Sequence, residues 1–284
     1  KVLRPHYAAH QEQISKFQNE LRLTGQLEHP NIVPVHETGC TEDGRVFFCM
    51  KLVGGQSLSQ FLNDLRKHTA EQGTQHDGTR LLRHFLKICD AVEFAHSRGI
   101  VHRDLKPANI MIGEFGEVQI LDWGIAKVLS KGHDGRPTES TDGMTPPPSL
   151  QEPQRTQDGT ILGTLSYMPP EQVRGAIGDI DERSDVYSLG ATLYEILTLQ
   201  APFDGQTAQE VMAQIRLGIL VPPRQLPGAS SSPVDHEIEA VVLRAMATDP
   251  DQRYASAKSL MNDIRAYLEG APLRAAPSRI TAYP

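Results

Sequence analysis

The chain has 284 residues, 39% of them hydrophobic and 22% charged, with a formal net charge of −7. That length supports one large domain or two small lobes, and an acidic balance without a Lys/Arg-dense stripe excludes nucleic acid as the main partner. The cysteines, Cys40, Cys49 and Cys89, lack CxxC or other ligand spacing, which excludes a disulfide framework, predicts buried small hydrophobes and suits a reducing cytoplasm.

No apolar run reaches the about 18 residues that cross a bilayer. Any membrane attachment is expected outside this segment, which begins at Lys1 and reads as a piece of a longer protein. In the first fifty or so residues, "SKFQNELRLTGQL" predicts a helix with Ser15 as N-cap and Gln18 completing a capping box. Phe17, Leu21 and Leu27 recur at near-helical spacing. Pro30 ends that helix. Strand-like residues follow in "NIVPVHETG", and "RVFFCMKLV" predicts a buried strand that stops at Gly54-Gly55.

The chain then turns helical. Leu82, Phe85, Leu86, Cys89, Val92 and Ala95 share one face, with Gly99 as the stop. "NIMIGEFGEVQIL" predicts a hairpin turning at "GEFG". "SDVYSLGATLYEILTL" is a second strong helix, Thr207 with Glu210 forms another capping box, and Ser232-Pro233 and Ser256 open two further helices. Gly270 closes the last helix, and residues 271–284 read as a linker or tail. Residues 130–160 are Pro, Gly, Ser, Thr and Asp with almost nothing to bury, which predicts disorder.

The chemistry concentrates in "IVHRDLKPANIMIGEFGEVQILDWG". Four residues separate Asp104 from Asn109, and Pro107 keeps that stretch from becoming a regular helix. A bent loop can turn several side chains toward one point. The hairpin returns Asp122 beside Asn109, so an amide oxygen and a carboxylate converge, a donor set suited to Mg2+. Asp104 is left near the metal as a base or hydroxyl-orienting group, and Lys106 can neutralise charge on a transferred phosphoryl.

"HRDLKPAN", then "DWG", then "GTLSYMPPEQ" resemble, in order and spacing, the signature set of protein kinases. The phrasing is closest to bacterial, eukaryotic-like Ser/Thr kinases, and the likeness covers Lys1 to about Gly270. It implies an α+β, two-lobed fold. Residues 1–53 would form a partial small β-rich lobe with one helix, and residues 54–270 a large, mainly helical lobe carrying an activation segment over 122–171. It also implies ATP with Mg2+ or Mn2+, Ser/Thr-bearing protein substrates, a role in bacterial signalling, and self-association for autophosphorylation.

By that resemblance Asp104 accepts or orients the substrate hydroxyl proton, Lys106 contacts the γ-phosphate, and Asn109 and Asp122 hold the metal. Arg103 is a cationic socket for a phosphorylated activation loop, with Thr156 and Thr160 as phosphosites. Thr164 hydrogen-bonds Asp104 and seats the substrate. Lys1 grips the α- and β-phosphates with Glu20 as its helix partner. Met50 is the gatekeeper, Lys51 and Val53 give hinge contacts to adenine, and Met111 lies beneath the purine. Glu171 pairs with Arg253, Asp185 anchors the catalytic-loop backbone, and His102 supports that loop rather than titrating. Lys106, two residues after Asp104, favours a Ser/Thr over a Tyr kinase.

The sequence also departs from the pattern. The Gly-rich loop is expected ahead of Lys1, so the segment as given should bind ATP poorly. Trp123 replaces the usual Phe and is expected to be packed. "PPE" replaces "APE", and Ala108 stands where kinases preferring basic substrates often carry Glu. Two rival functions stand beside the kinase reading. One is a pseudokinase scaffold, opposed by the presence of Asp104, Lys106, Asn109, Asp122, Lys1 and Glu20. The other is a small-molecule phosphotransferase, opposed by "GTLSYMPPE" and Arg253.

Overall fold

The computed structural model describes Val2 and residues 11–43, 45–72, 78–123, 126–128, 163–226 and 234–275. Lys1, Thr156, Thr160 and all of 130–160 lie outside the described residues. So does the side chain of Glu20, although its backbone is helical.

The small lobe is one helix against a hairpin. Helix α1 (Gln11–Thr24) is followed by β1 (Val35–Cys40) and β2 (Val46–Met50), antiparallel with Val35 opposite Met50 and Cys40 opposite Val46. Val2 bridges to Phe47 on the other edge of β2, in antiparallel sense. Phe48 is the buried residue of β2, and its ring centroid lies 5.1 Å from that of Phe17. The helix starts four residues ahead of Ser15, so Ser15 is not its N-cap. Gln11, Glu12 and Gln13 are good helix formers that extend the helix upstream. Strand β2 is half-buried rather than buried, because one face of this hairpin meets solvent. For the same reason Cys40 and Cys49 are exposed, and only Cys89 sits in the core.

The large lobe opens with β3 (Gln56–Ser57), α2 (Leu58–Gln72) and α3 (Gly78–Ser97). Gly99, with φ +71°, ends α3 through its N–H on the His96 carbonyl. Strand β4 (Ile100–Val101) leads into an irregular stretch, a short 3-10 turn (Pro107–Asn109), and the hairpin β5 (Ile110–Ile112) and β6 (Val118–Ile120). β3 pairs with β5, and β4 pairs with β7 (Lys127–Val128), all antiparallel. These two-residue strands carry no sequence period of their own; their partners define them.

Helices α4 (Pro170–Val173), α5 (Glu182–Thr198), α6 (Ala208–Leu217), α7 (His236–Ala245) and α8 (Ala257–Glu269) complete the lobe. Helix α5 is buried almost all round, the signature of a core helix. At Gly190 a Cβ would lie 2.7 Å from the Ala245 Cβ, so glycine permits the close crossing of α5 and α7. Thr207 and Ser256 cap α6 and α8, and Gly270 closes α8 at φ +66°. The Glu210 carboxylate reaches back to the Gln206 N–H, one residue before the cap. The N-cap of α7 is Asp235, bonded to the Glu237 N–H, rather than Ser232, which lies outside the described residues with Pro233. The stretch expected to be linker begins by docking. The buried Asp263 carboxylate accepts from the Arg274 and Ala275 N–H groups at 3.1 and 2.8 Å and from the Tyr254 hydroxyl at 2.9 Å. Among the described residues no helix is long and apolar enough to cross a membrane.

Candidate active site

Between β4 and the 3-10 turn at Pro107 the chain makes no helix or sheet ladder, so its backbone groups need other partners. Asp185, at the start of α5 and 1% exposed, supplies two. Its Oδ2 accepts from the His102 N–H at 2.8 Å and its Oδ1 from the Arg103 N–H at 2.9 Å. His96 Nε2, at the end of α3, adds a contact of 2.8 Å to the same Oδ2. Burial pushes the Asp185 carboxyl up. The His96 hydrogen bond and charge, His102 and the Arg103 N–H outweigh it and hold it below the ordinary carboxylate value. His96 was not singled out from sequence, although it is a polar residue four positions after Val92 on the apolar stripe of α3.

Arg103 adopts φ +68°, in the left-handed region that L-residues avoid. Its Nε is buried and has no hydrogen-bond partner among the described residues. Burial lowers its pKa, against the attraction of Asp185. His102 is fully buried, accepts the Asp104 N–H at Nδ1 (3.2 Å) and contacts the Leu121 carbonyl through Nε2 (3.0 Å). Those two partners assign the proton to Nε2. Trp123, also fully buried, lies with its ring 4.5 Å from that imidazole.

The loop then gathers its polar side chains. Lys106 Nζ meets both Asp104 oxygens, at 3.0 and 2.8 Å, and lies 3.4 Å from the Thr164 Oγ1. Thr164 therefore joins the group through Lys106. Asn109 Nδ2 donates to the Asp104 carbonyl at 2.9 Å and to its Oδ2 at 3.1 Å. With both N–H arms turned to Asp104, the amide oxygen of Asn109 is the group left for coordination. The Leu121 N–H bonds the Asn109 carbonyl at 2.8 Å, so the hairpin delivers Asp122, the next residue, beside Asn109. Asp122 is exposed and has φ +59°. An amide oxygen and a carboxylate on an exposed residue are the donor types a hard cation takes when it uses one or two protein oxygens and keeps other ligands.

The segment expected to hold adenine runs from Met50, half-buried at the end of β2, through exposed Lys51 and half-buried Val53. The Lys51 N–H bonds the Pro34 carbonyl at 3.2 Å. The chain then passes into β3, whose Ser57 pairs with Met111 on β5, so the connector leads into the short sheet that carries Met111.

Helix α4 braces the loop from the far side. Arg253 grips Glu171 in bidentate fashion, Nη1 to Oε1 and Nη2 to Oε2, each at 2.8 Å, and both side chains are buried. Burial raises the Glu171 carboxyl, but Arg253 and the Ser184 hydroxyl leave it below its ordinary value. Sequence reasoning missed the next residue, Gln172, whose Nε2 donates to the Arg103 carbonyl at 3.0 Å. A four-residue helix has no period from which its burial could be read.

The protein kinase domain family matches residues 1–264. The serine/threonine-protein kinase PknD of Chlamydia abortus is 38% identical over 266 residues, covering 90% of this chain and 27% of that protein. Pkn3, a serine/threonine-protein kinase of Myxococcus xanthus, is 34% identical over 295 aligned residues, 100% of this chain and 48% of its own length. For the serine/threonine-protein kinase PknB of Mycolicibacterium smegmatis the values are 35% over 277 residues, 95% and 38%. The chain thus spans between about a quarter and about a half of these relatives.

Proposed function

Because this chain belongs to the protein kinase family, we propose that the protein containing it transfers the γ-phosphoryl of ATP to Ser or Thr hydroxyls of protein substrates. The observation that carries the reading is that Lys106 and Asn109 both donate hydrogen bonds to Asp104, one hairpin turn from Asp122. Its relatives' names, serine/threonine-protein kinase, support the acceptor class.

Each residue has a stated task. Asp104 faces the incoming hydroxyl and orients it or takes its proton. Lys106, seated on Asp104 in the resting site, moves its charge to the transferred phosphoryl as that group becomes more anionic. The Asn109 oxygen and the Asp122 carboxylate hold Mg2+, which when bound shields the phosphate charge that would repel the nucleophile. Lys1 with Glu20 holds the α- and β-phosphates, and Met50, Lys51, Val53 and Met111 border the adenine. The Arg103 Nε, without a hydrogen-bond partner among the described residues, supports a socket for phosphate on Thr156 or Thr160, through which autophosphorylation would order the activation segment.

Asp104→Asn in the full-length protein tests the reading, by transfer of γ-labelled phosphate to a protein substrate alongside a thermal melt. Rate should fall by about 10²- to 10⁴-fold, the usual worth of a positioned base, with an unchanged melting temperature. Near wild-type transfer by the folded variant would refute the assignment.

A further inference from the structure

The four backbone polar groups from the Arg103 N–H to the Asp104 carbonyl are all held by side chains. Asp185 takes the Arg103 N–H, Gln172 gives to the Arg103 carbonyl, His102 takes the Asp104 N–H, and Asn109 gives to the Asp104 carbonyl. Two of these, Gln172 and His102, act on a single peptide unit, the one joining Arg103 to Asp104. A peptide unit is planar and moves as one body, so fixing its oxygen and its N–H fixes the plane from which Asp104 departs. A left-handed non-glycine residue persists only where its surroundings over-determine it, and Arg103 sits at φ +68° directly before that plane.

Gln172 is suited to hold such a plane. It is 3% exposed, and its Oε1 is buried without a hydrogen-bond partner among the described residues. The amide is therefore aimed for its donor; a carbonyl can be satisfied only by an N–H or O–H. Its two neighbours in α4 are tied elsewhere, Glu171 to Arg253 and the Val173 carbonyl to Arg216 Nη2 at 3.0 Å. The helix that carries Gln172 is thus anchored on both sides and cannot follow the loop if the loop shifts.

We infer that Gln172 is a positioning residue for phosphoryl transfer: its side-chain N–H locks the Arg103–Asp104 peptide and thereby the direction of the Asp104 carboxylate. The inference rests on the reading of Asp104 given above. The tie runs from the end of the activation segment to the catalytic loop, so the segment sets the aim of Asp104 through neutral hydrogen bonding, separately from any charge on Arg103.

The test uses the full-length protein with Gln172→Met, which keeps the volume and loses the donor, and Gln172→Glu, whose carboxyl donates only when protonated. Expected for Gln172→Met is a fall in kcat of about tenfold or more, the scale on which slight misplacement of a reacting group acts. KM for ATP should stay within about twofold, because the nucleotide's contacts are elsewhere. Gln172→Glu should be impaired at about pH 8 and recover relative to wild type toward about pH 6, since burial raises a carboxyl pKa and the protonated form restores the O–H donor. A kcat for Gln172→Met within twofold of wild type overturns the inference. If that variant does not fold, the ratio of Gln172→Glu to wild type decides, and a ratio flat with pH overturns it. An Asp104→Asn variant measured in parallel separates the two ideas. If it stays active the reading of Asp104 fails, whereas if it is inactive while Gln172→Met is normal only the present inference fails.

Discussion

Replacing Arg253 with Met removes a buried cation from a site built around it. Both oxygens of Glu171 lose a guanidinium N–H at 2.8 Å, and the carbonyls of Ala247, Arg183 and Thr248 lose partners at 2.8, 3.0 and 3.3 Å. Glu171 keeps the Ser184 hydroxyl at 2.7 Å and no route to solvent, being 3% exposed. Breaking one side of a buried pair leaves an uncompensated charge and costs about 3–5 kcal/mol. Each deprived carbonyl adds up to about 1 kcal/mol where water cannot reach it. Arg253→Met should therefore destabilise by about 3–8 kcal/mol, lowering the melting temperature by about 6 °C or more for a domain of this size. The Glu171→Met, Arg253→Met double variant should recover about 2 kcal/mol of that loss, because the stranded charge is gone. Urea denaturation of the four members of the cycle gives these numbers directly. A single variant within about 1 kcal/mol of wild type, or a double variant whose losses simply add, would refute the argument that the charge is held by its partner.

Other consequences follow from named contacts. Asp185 has a lowered carboxyl pKa, so its contribution is complete above the unfolded carboxylate value and is lost as pH falls through the folded one. Stability plotted against pH should drop on the acid side of about pH 4, and Asp185→Asn should flatten that limb in thermal melts at graded pH. Glu195 titrates in the opposite sense. Burial raises its pKa despite the Tyr167 hydroxyl, so its share of stability is present at low pH and fades as pH rises through the raised value; Glu195→Gln should remove that fade. At Gly190 even a methyl group meets Ala245 and Met246, and Gly190→Ala should cost about 1–3 kcal/mol, partly restored by Ala245→Gly. Asp263→Ala strands the Tyr254 hydroxyl and two backbone N–H groups. Hydrogen exchange at Arg274 and Ala275 should then rise sharply; unchanged protection would show that Asp263 does not hold them.

Much of the site was legible because its chemistry is local in the chain. Asp104, Lys106 and Asn109 lie within six residues of one another, Pro107 bends their connection, and a short hairpin returns Asp122, so spacing alone brings the groups together. The long helices were legible for a similar reason: the apolar stripes of α3 and α5 follow from periodicity, whereas the burial of Ser188 and Thr192 on α5 does not. The N-terminal boundary of α1 was not, because a capping-box pattern inside good helix-forming sequence does not stop the helix.

What the sequence determined by itself, then, is the order of the main elements and the local grouping of Asp104, Lys106, Asn109 and Asp122, since each depends on neighbours a few positions away. What the tertiary structure decided is how that loop is held; the Asp185 anchor and the Glu171–Arg253 pair were expected only from the family resemblance, and the His96 and Gln172 contacts were not expected at all. His96 and Asp185 are 89 residues apart, Glu171 and Arg253 82, and Arg103 and Gln172 69. None of these separations leaves a period or a spacing in the chain. They arise because a loop without a ladder must satisfy its backbone with whatever side chains the packed helices bring to it, and packing is a property of the whole fold.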